Sequence, residues 1–352
     1  MRQKNQHGDS TGAVDLLALG EFVERFEGKR IVVLGDFVAD YFQFGEITRV
    51  SREAPVLILR HRETRIVPGG AANAANNLVA LGARVFPVSV VGDDPAGNAL
   101  IEAFREMNVD VSGILRLKDR VTPTKTRFLA GWTHTVGQQV LRVDYEPQNT
   151  LAESHRKKIE QLALARLKRA DALAASDYGF GIATPEMVRR VAPRGKHRGI
   201  VTLDSRYRLL AYKGAGVTAA TPNEPEMEAL HHTTIGRDTA ELERCGRSTL
   251  KDLKLGSLVV TRGKDGMAVF QPDAKVAHIP VHGSDQAVDV TGAGDTVLAA
   301  YTLGLASGAS PVEAANIANI AGGLVVMKRG TATVSRRELL DAIHKEASET
   351  PS

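Results

Sequence analysis

Short apolar runs that recur between stretches of helical period constrain this chain more than any other feature. Residues 31–34, 85–91, 172–175, 200–203 and 258–261 are brief and almost continuously apolar. They alternate with helix-period segments such as 151–168 and 241–253. Runs of that kind read as strands buried on both faces, and helices between them read as the crossovers of a parallel sheet. The expected fold is therefore α/β, a doubly wound, mostly parallel sheet flanked by helices. The first run ends in Gly35-Asp36, which delivers a carboxylate to the C-terminal end of a strand, where open α/β sheets bind ligands.

The pattern changes in two places. Between residues 43 and 60, and again between 112 and 143, short alternating segments replace long helices (56–59, 126–129, 140–143). These predict antiparallel strands outside the main sheet, a small β-lid assembled from distant segments. One folded unit over residues 28–346 is expected, with flexible tails at 1–27 and 347–352. Capping signals support the helix starts: Thr150…Glu153 and Ser335…Glu338 have capping-box spacing, and Thr184-Pro185 offers an N-cap followed by an N1 proline.

Composition narrows the function classes. Forty-five Lys and Arg against 41 Asp and Glu leave a net +4, with the basic residues scattered rather than gathered into a stripe, which argues against a nucleic-acid partner. The single Cys245 rules out a disulfide framework and a cysteine zinc site, consistent with a reducing, cytoplasmic setting. The polar first 15 residues lack the apolar core of a secretory signal, and the longest apolar stretches fall short of the ~18 residues that membrane insertion needs.

Three stretches carry chemistry. Asp289-Val-Thr-Gly-Ala-Gly-Asp-Thr296 precedes a helix-compatible segment; Gly292, Ala293 and Gly294 allow a sharp turn whose successive N–H groups form an anion-binding concavity. Asp295 there is placed to accept a proton from a hydroxyl aligned with a phosphoryl group. The plainer alternative is a helix N-cap and a tight turn. The stretch lacks the third glycine of a dinucleotide fingerprint, and there is no Walker-A loop. Second, Pro68-Gly-Gly-Ala-Ala-Asn73 offers close backbone approach at Gly69 and Gly70 and an amide at Asn73 for sugar hydroxyls, or else simply a packed loop-to-helix turn. Third, Asn223 and Glu226 share one face of a helical turn, a pair suited to hydrated Mg²⁺ or to a capped helix start. His231-His232 read as solvated surface histidines.

Together and in this order, these stretches resemble the ribokinase-like (pfkB-type) carbohydrate kinases, over about residues 28–346. Within that family the resemblance is nearest to the heptose 7-phosphate kinases of ADP-heptose synthesis for lipopolysaccharide. It is carried by Thr48-Arg-Val-Ser-Arg-Glu-Ala-Pro-Val56, Gln138-Gln-Val-Leu-Arg-Val-Asp144, Ser176-Asp-Tyr-Gly179 and Lys328-Arg-Gly-Thr-Ala-Thr-Val-Ser335 besides the motifs above. The resemblance implies an ATP-dependent kinase acting on a sugar hydroxyl, with Mg²⁺ and in many members K⁺. It implies sugar contacts from Asp36, Gly69, Gly70, Asn73 and Arg142, catalysis by Asp295 with residues 292–294 as anion hole, and Glu226 at the magnesium. Nucleotide contacts would come from Asn223, Thr261, Gly263, Gly266 and Asn319. It also implies a homodimer through the β-lid.

The chain departs from the heptose kinases at three places. Asp-Arg becomes Asp40-Tyr41, Ser-Asp-Tyr-x-Lys-Gly becomes Ser176-Asp-Tyr-Gly-Phe180-Gly181, and Asp-Pro-Lys becomes Asp204-Ser205-Arg206. Two cations are lost and one changes type, and cations are what a 7-phosphate needs. Two alternatives stay open: a kinase for another sugar or nucleoside, and a non-catalytic binding protein on a kinase fold. The few residues after Ile343 predict a form without the appended nucleotidyltransferase of bifunctional relatives.

Overall fold

A computed structural model describes residues 15–131, 138–193, 199–283 and 286–349. The strands are β1 (Arg30–Gly35), β2 (Phe37–Val50), β3 (Leu57–Gly70), β4 (Arg84–Gly92), β5 (Ile114–Leu117), β6 (Thr124–Gly131), β7 (Gln138–Tyr145), β8 (Ala172–Asp177), β9 (Ile200–Ser205), β10 (Ala219–Ala220), β11 (Ser257–Thr261), β12 (Met267–Phe270) and β13 (Ala277–Ile279). The α-helices are α1 (Leu16–Glu24), α2 (Ala71–Ala80), α3 (Pro95–Glu106), α4 (Glu153–Leu167), α5 (Pro185–Val191), α6 (Glu224–His231), α7 (Thr239–Leu253), α8 (Ala293–Ala306), α9 (Pro311–Val325) and α10 (Arg336–Glu349).

Nine strands form one sheet in the order β13-β12-β11-β10-β9-β8-β1-β4-β5. Pairing is parallel except at β11-β12-β13. Alternate residues of one strand feed opposite helix layers. Ile31 and Val33 pack with α1, α2, α3, α8, α9 and α10, whereas Val32 and Leu34 pack with α4, α5, α6 and α7. The period of two thus turns an unbroken apolar run into two cores, which is why such runs mark a doubly wound sheet. From β1 the chain order departs to β4 on one side and β8 on the other. A crevice opens at such a switch point, at the strands' carboxyl ends.

The second sheet has the order β3-β2-β6-β7 and is the lid. It is longer than residues 43–60 and 112–143: β2 and β3 pair from Phe37↔Gly70 to Val50↔Leu57. Its β2-β6 pairing is parallel rather than antiparallel. Residues 114–117 do not belong to it; β5 pairs parallel to β4 at the edge of the main sheet. Residues 132–137 of the expected lid lie outside the described residues.

The tail expected over 1–27 is corrected for residues 16–24, which form α1. Asp15 caps it by accepting from the Leu17 and Ala18 amides, and Leu19, Val23 and Phe26 are fully buried in the core shared with α10. At the other end α10 carries helix through Glu349. Residues 1–14 and 350–352 lie outside the described residues. Ser335 and Glu338 make their reciprocal capping contacts, and Thr184 caps α5. Thr150 does not cap α4, whose N-cap is Ala152 with no side-chain bond.

Candidate active site

The first-turn amides of α8 have no intrahelical acceptors, and no side chain caps them. Gly292 takes φ +80°, and a Cβ there would sit 2.5 Å from Asn73 Nδ2, so the turn closes only with glycine. At Gly294 a Cβ would meet nothing within 4 Å, so open space lies in front of the helix terminus. Asp295 follows in the first helical turn, 3% exposed.

Two donors fix its carboxylate. Asn73 Nδ2 donates to Oδ2 at 2.9 Å and the Tyr178 hydroxyl donates to Oδ1 at 3.0 Å. Asn73 is held in turn by Asn77, which accepts from Thr296 on α8, so a buried amide ladder ties α2 to α8. Burial pushes the Asp295 carboxyl up to about 7, against the pull of these two donors; Asp40 adds to the rise and Lys125 opposes it. A carboxyl poised there can hold or release a proton near neutral pH.

Two cavities meet at this point. One of about 720 Å³ is lined by Asn223, Glu226, Thr261, Gly263, Gly266, Asn319 and residues 292–295. All five expected nucleotide residues and Glu226 are therefore brought together. The glycine turn at 263–266 is nonetheless a hairpin joining β11 to antiparallel β12. Asn223 and Glu226 cap each other, the Asn223 side chain accepting from the Glu226 amide at 2.8 Å and Glu226 accepting from the Asn223 amide at 2.9 Å. The other cavity, about 820 Å³, is lined by Lys125, Arg142, Arg206 and Arg208 together with Asp144 and Glu146. Tyr178 and Arg206 line both.

The sugar contacts are redistributed. Arg142 reaches the larger cavity, paired with Asp144 at 2.9 Å. Asp36 does not: it is buried and accepts the backbone amides of Tyr178, Phe180 and Ile182 at 2.9 to 3.0 Å. Burial raises its carboxyl to about 6 although those amides pull it down. Gly69, Gly70 and Asn73 are buried too and do not line that cavity. Gly69 makes room for another carboxylate, since a Cβ there would fall 2.5 Å from Asp40 Oδ2.

Asp40 is the residue that sequence reasoning passed over in favour of Asp36. It pairs with Arg127 at 2.6 Å in a buried salt bridge and accepts from the Thr331 hydroxyl at 3.1 Å. Lys125 stands over the Tyr178 ring, 4.9 Å from its centre, and burial lowers its pKa although Asp40 resists. Asp204, half-buried in the smaller cavity, is pushed well above the usual carboxylate range by burial and then by Glu226. Glu226 is likewise raised by burial. Among the described residues no group of three or more His, Cys, Asp or Glu could hold a metal ion. His231 is not a solvated surface residue, being half-buried and bonded to Thr249 at 2.8 Å.

A buried, doubly bonded carboxylate at a helix N-terminus, between an anion-ready turn and a polar cavity, defines a phosphotransferase acting on a small hydroxyl compound. The chain belongs to the pfkB family carbohydrate kinases, whose family profile matches residues 29–338. It is a sugar kinase. A bifunctional protein HldE of Mesorhizobium japonicum is 39% identical over 333 residues, 93% of this chain and 64% of that protein. Another, of Geobacter metallireducens, is 39% identical over 321 residues, 91% of this chain and 64% of that protein. The chain thus spans somewhat under two thirds of the length of these relatives. In structure it is similar to Arabidopsis thaliana ribokinase complexed with ribose and ATP (TM-score 0.70, 19% identity, 90% of this chain and 99% of that one). It is also similar to Escherichia coli phosphofructokinase-2 in complex with potassium (TM-score 0.73, 19% identity, 92% of this chain and 100% of that one). No helix among the described residues is long and apolar enough to cross a membrane.

Proposed function

We propose that the chain transfers the γ-phosphoryl group of ATP to the anomeric hydroxyl of D-glycero-D-manno-heptose 7-phosphate, giving the 1,7-bisphosphate. The observation that carries this reading is the cationic wall of the larger cavity, Lys125, Arg142 and Arg206, next to Asp295. Lys125 on β6 makes up for the cations absent from the heptose-kinase motifs, while Arg142 and Arg206 stand at positions where those motifs themselves carry a cation. The resemblance of its motifs to the heptose kinases favours the same substrate.

In this reading the nucleotide occupies the smaller cavity and the sugar the larger one. Asp295 takes the acceptor hydroxyl proton as the new oxygen–phosphorus bond forms, the β,γ-bridging bond breaks, and ADP leaves with the electron pair. The amides of Gly294 and Asp295 face the charge on the transferring group, the Ala293 amide being taken by the Val290 carbonyl. Glu226 and Asp204 suit Mg²⁺, which binds one or two carboxylates, waters and phosphates, and would neutralise phosphate charge. Exposed Val50, Val56, Leu57, Val140 and Leu141 on lid strands or their loops are the surface of the inferred homodimer, to be checked by sedimentation.

ATP consumption against heptose 7-phosphate, sedoheptulose 7-phosphate, ribose, fructose and fructose phosphates, with Mg²⁺ and with or without K⁺, tests the assignment. Heptose 7-phosphate should give the highest kcat/KM, and Arg206→Met should raise its KM by ~10-fold or more, the scale of one charge-assisted phosphate contact. Faster turnover of an unphosphorylated sugar would reject the phosphate reading and favour the open alternative, a kinase for another sugar. The acidic residues Asp144 and Glu146 in the same cavity are what speaks for that alternative.

A proton balance follows from Asp295. Only its ionised form accepts the proton, so kcat should climb as pH rises through about 7 and level off above. A flat profile between pH 5.5 and 8 would exclude it as the base.

A further inference from the structure

Asp36 and Tyr178 are 142 residues apart, yet the carboxylate of the first fixes the loop that carries the second. Both Asp36 oxygens are used: Oδ2 accepts from the Tyr178 and Phe180 amides and Oδ1 from the Ile182 amide. Arg120, also buried, closes the clamp by donating to the Phe180 carbonyl at 2.6 Å and the Asn149 carbonyl at 3.3 Å. A carboxylate and a guanidinium buried together for the sake of backbone groups are costly, and the loop they hold gains one fixed geometry.

That geometry sets the Tyr178 ring between the two cavities, with Lys125 over its face and its hydroxyl on Asp295 Oδ1. We propose that Tyr178 is a positioning residue for Asp295, aligned by the Asp36–Arg120 clamp, and that Asp36 serves the reaction through it rather than by touching sugar. The inference rests on Asp295 being the base. With Asn73 on one oxygen and Tyr178 on the other, the carboxylate plane is fixed, and each oxygen keeps a lone pair for the acceptor hydroxyl. The phenol stays a donor throughout the working pH range, because burial and then the Asp295 charge hold it well above its ordinary value. The groups that face Asp295 are Asn73 from α2, Asp40 from β2, Lys125 from β6, Tyr178 after β8 and Asp204 from β9. Of these, Tyr178 and Asn73 bond it directly.

Tyr178→Phe removes one oxygen and keeps the ring, the Lys125 contact and the loop amides. Its kcat should fall ~10- to 100-fold, the scale of one hydrogen bond to a charged group, with KM for ATP within about twofold. The acidic limb of its kcat profile should move to higher pH, because the ionised carboxylate has lost a donor. Asp36→Asn turns one acceptor into a donor facing the amides and should show the same defect. The double variant should be no slower than the slower single one, since both act through one contact. A Tyr178→Phe enzyme with wild-type kcat and an unmoved limb, or a double variant whose defects multiply, would overturn the proposal. If Asp295→Asn keeps wild-type activity the base assignment itself fails; if it is inactive and Tyr178→Phe is silent, only the positioning role does.

Discussion

Asp295→Asn is expected to lower kcat by ~10²- to 10⁴-fold, the contribution of a positioned general base, and to leave the protein at least as stable as wild type above pH 7. The two halves have one cause. Burial raises the Asp295 carboxyl from 3.8 to about 7. Between those values the folded protein holds a proton that the unfolded chain has released. Stability therefore falls as pH rises through that window, and the full cost of the buried charge is present above about 7. An amide never carries that charge, and it still accepts from Asn73 and can donate to the Tyr178 oxygen. Activity by coupled ADP release and melting at pH 6 and pH 8 measure both. A variant that loses activity and also melts well below wild type at pH 8 would mean that the carboxylate is a structural group. Retained turnover would remove it from the chemistry.

Arg127→Met should cost ~3–5 kcal/mol, because it strips a buried carboxylate of the lid sheet of its salt-bridge partner. Asp40 would keep the Thr331 hydroxyl as a donor. Of its other neighbours, Lys125 lends a nearby charge, Gly69 packs against its oxygens, and Arg127 itself stacks on Phe42, 5.3 Å from the ring centre. Urea unfolding at 25 °C reads the loss. The double variant Asp40→Leu/Arg127→Met should recover part of it, since no charge is then stranded. A loss below about 1 kcal/mol, the level of an exposed pair, would mean that solvent reaches the seam freely.

The two carboxylates at the end of β1 show how far the sequence could be read. Asp36 and Asp40 are four residues apart in one stretch, and nothing local distinguishes them. Which one holds a loop and which one pairs with Arg127 depends on β2 pairing with β3 and β6 and on a segment more than 140 residues downstream. The contact of Tyr178 with Asp295 escaped in the same way, since a tyrosine has no signature until its neighbours are known. The capping pair Asn223–Glu226 was legible, because three-residue spacing on a helix start is local physics. So was the glycine turn before Asp295. The edge strand at 114–117 was misplaced because an alternating tetrapeptide does not reveal its sheet.

The α/β alternation, the glycine-bounded turn with its carboxylate, and the family can all be read from the linear chain. Those are properties of contiguous residues: apolar runs, helix caps and φ-permissive turns. Long-range packing alone sets α1 against α10, makes Asp36 clamp a loop while Asp40 pairs with Arg127, and brings Tyr178 to Asp295 across 117 residues. These contacts close long loops, and the closure is compensated by burial in a shared core, a sum over the whole chain that no local pattern encodes.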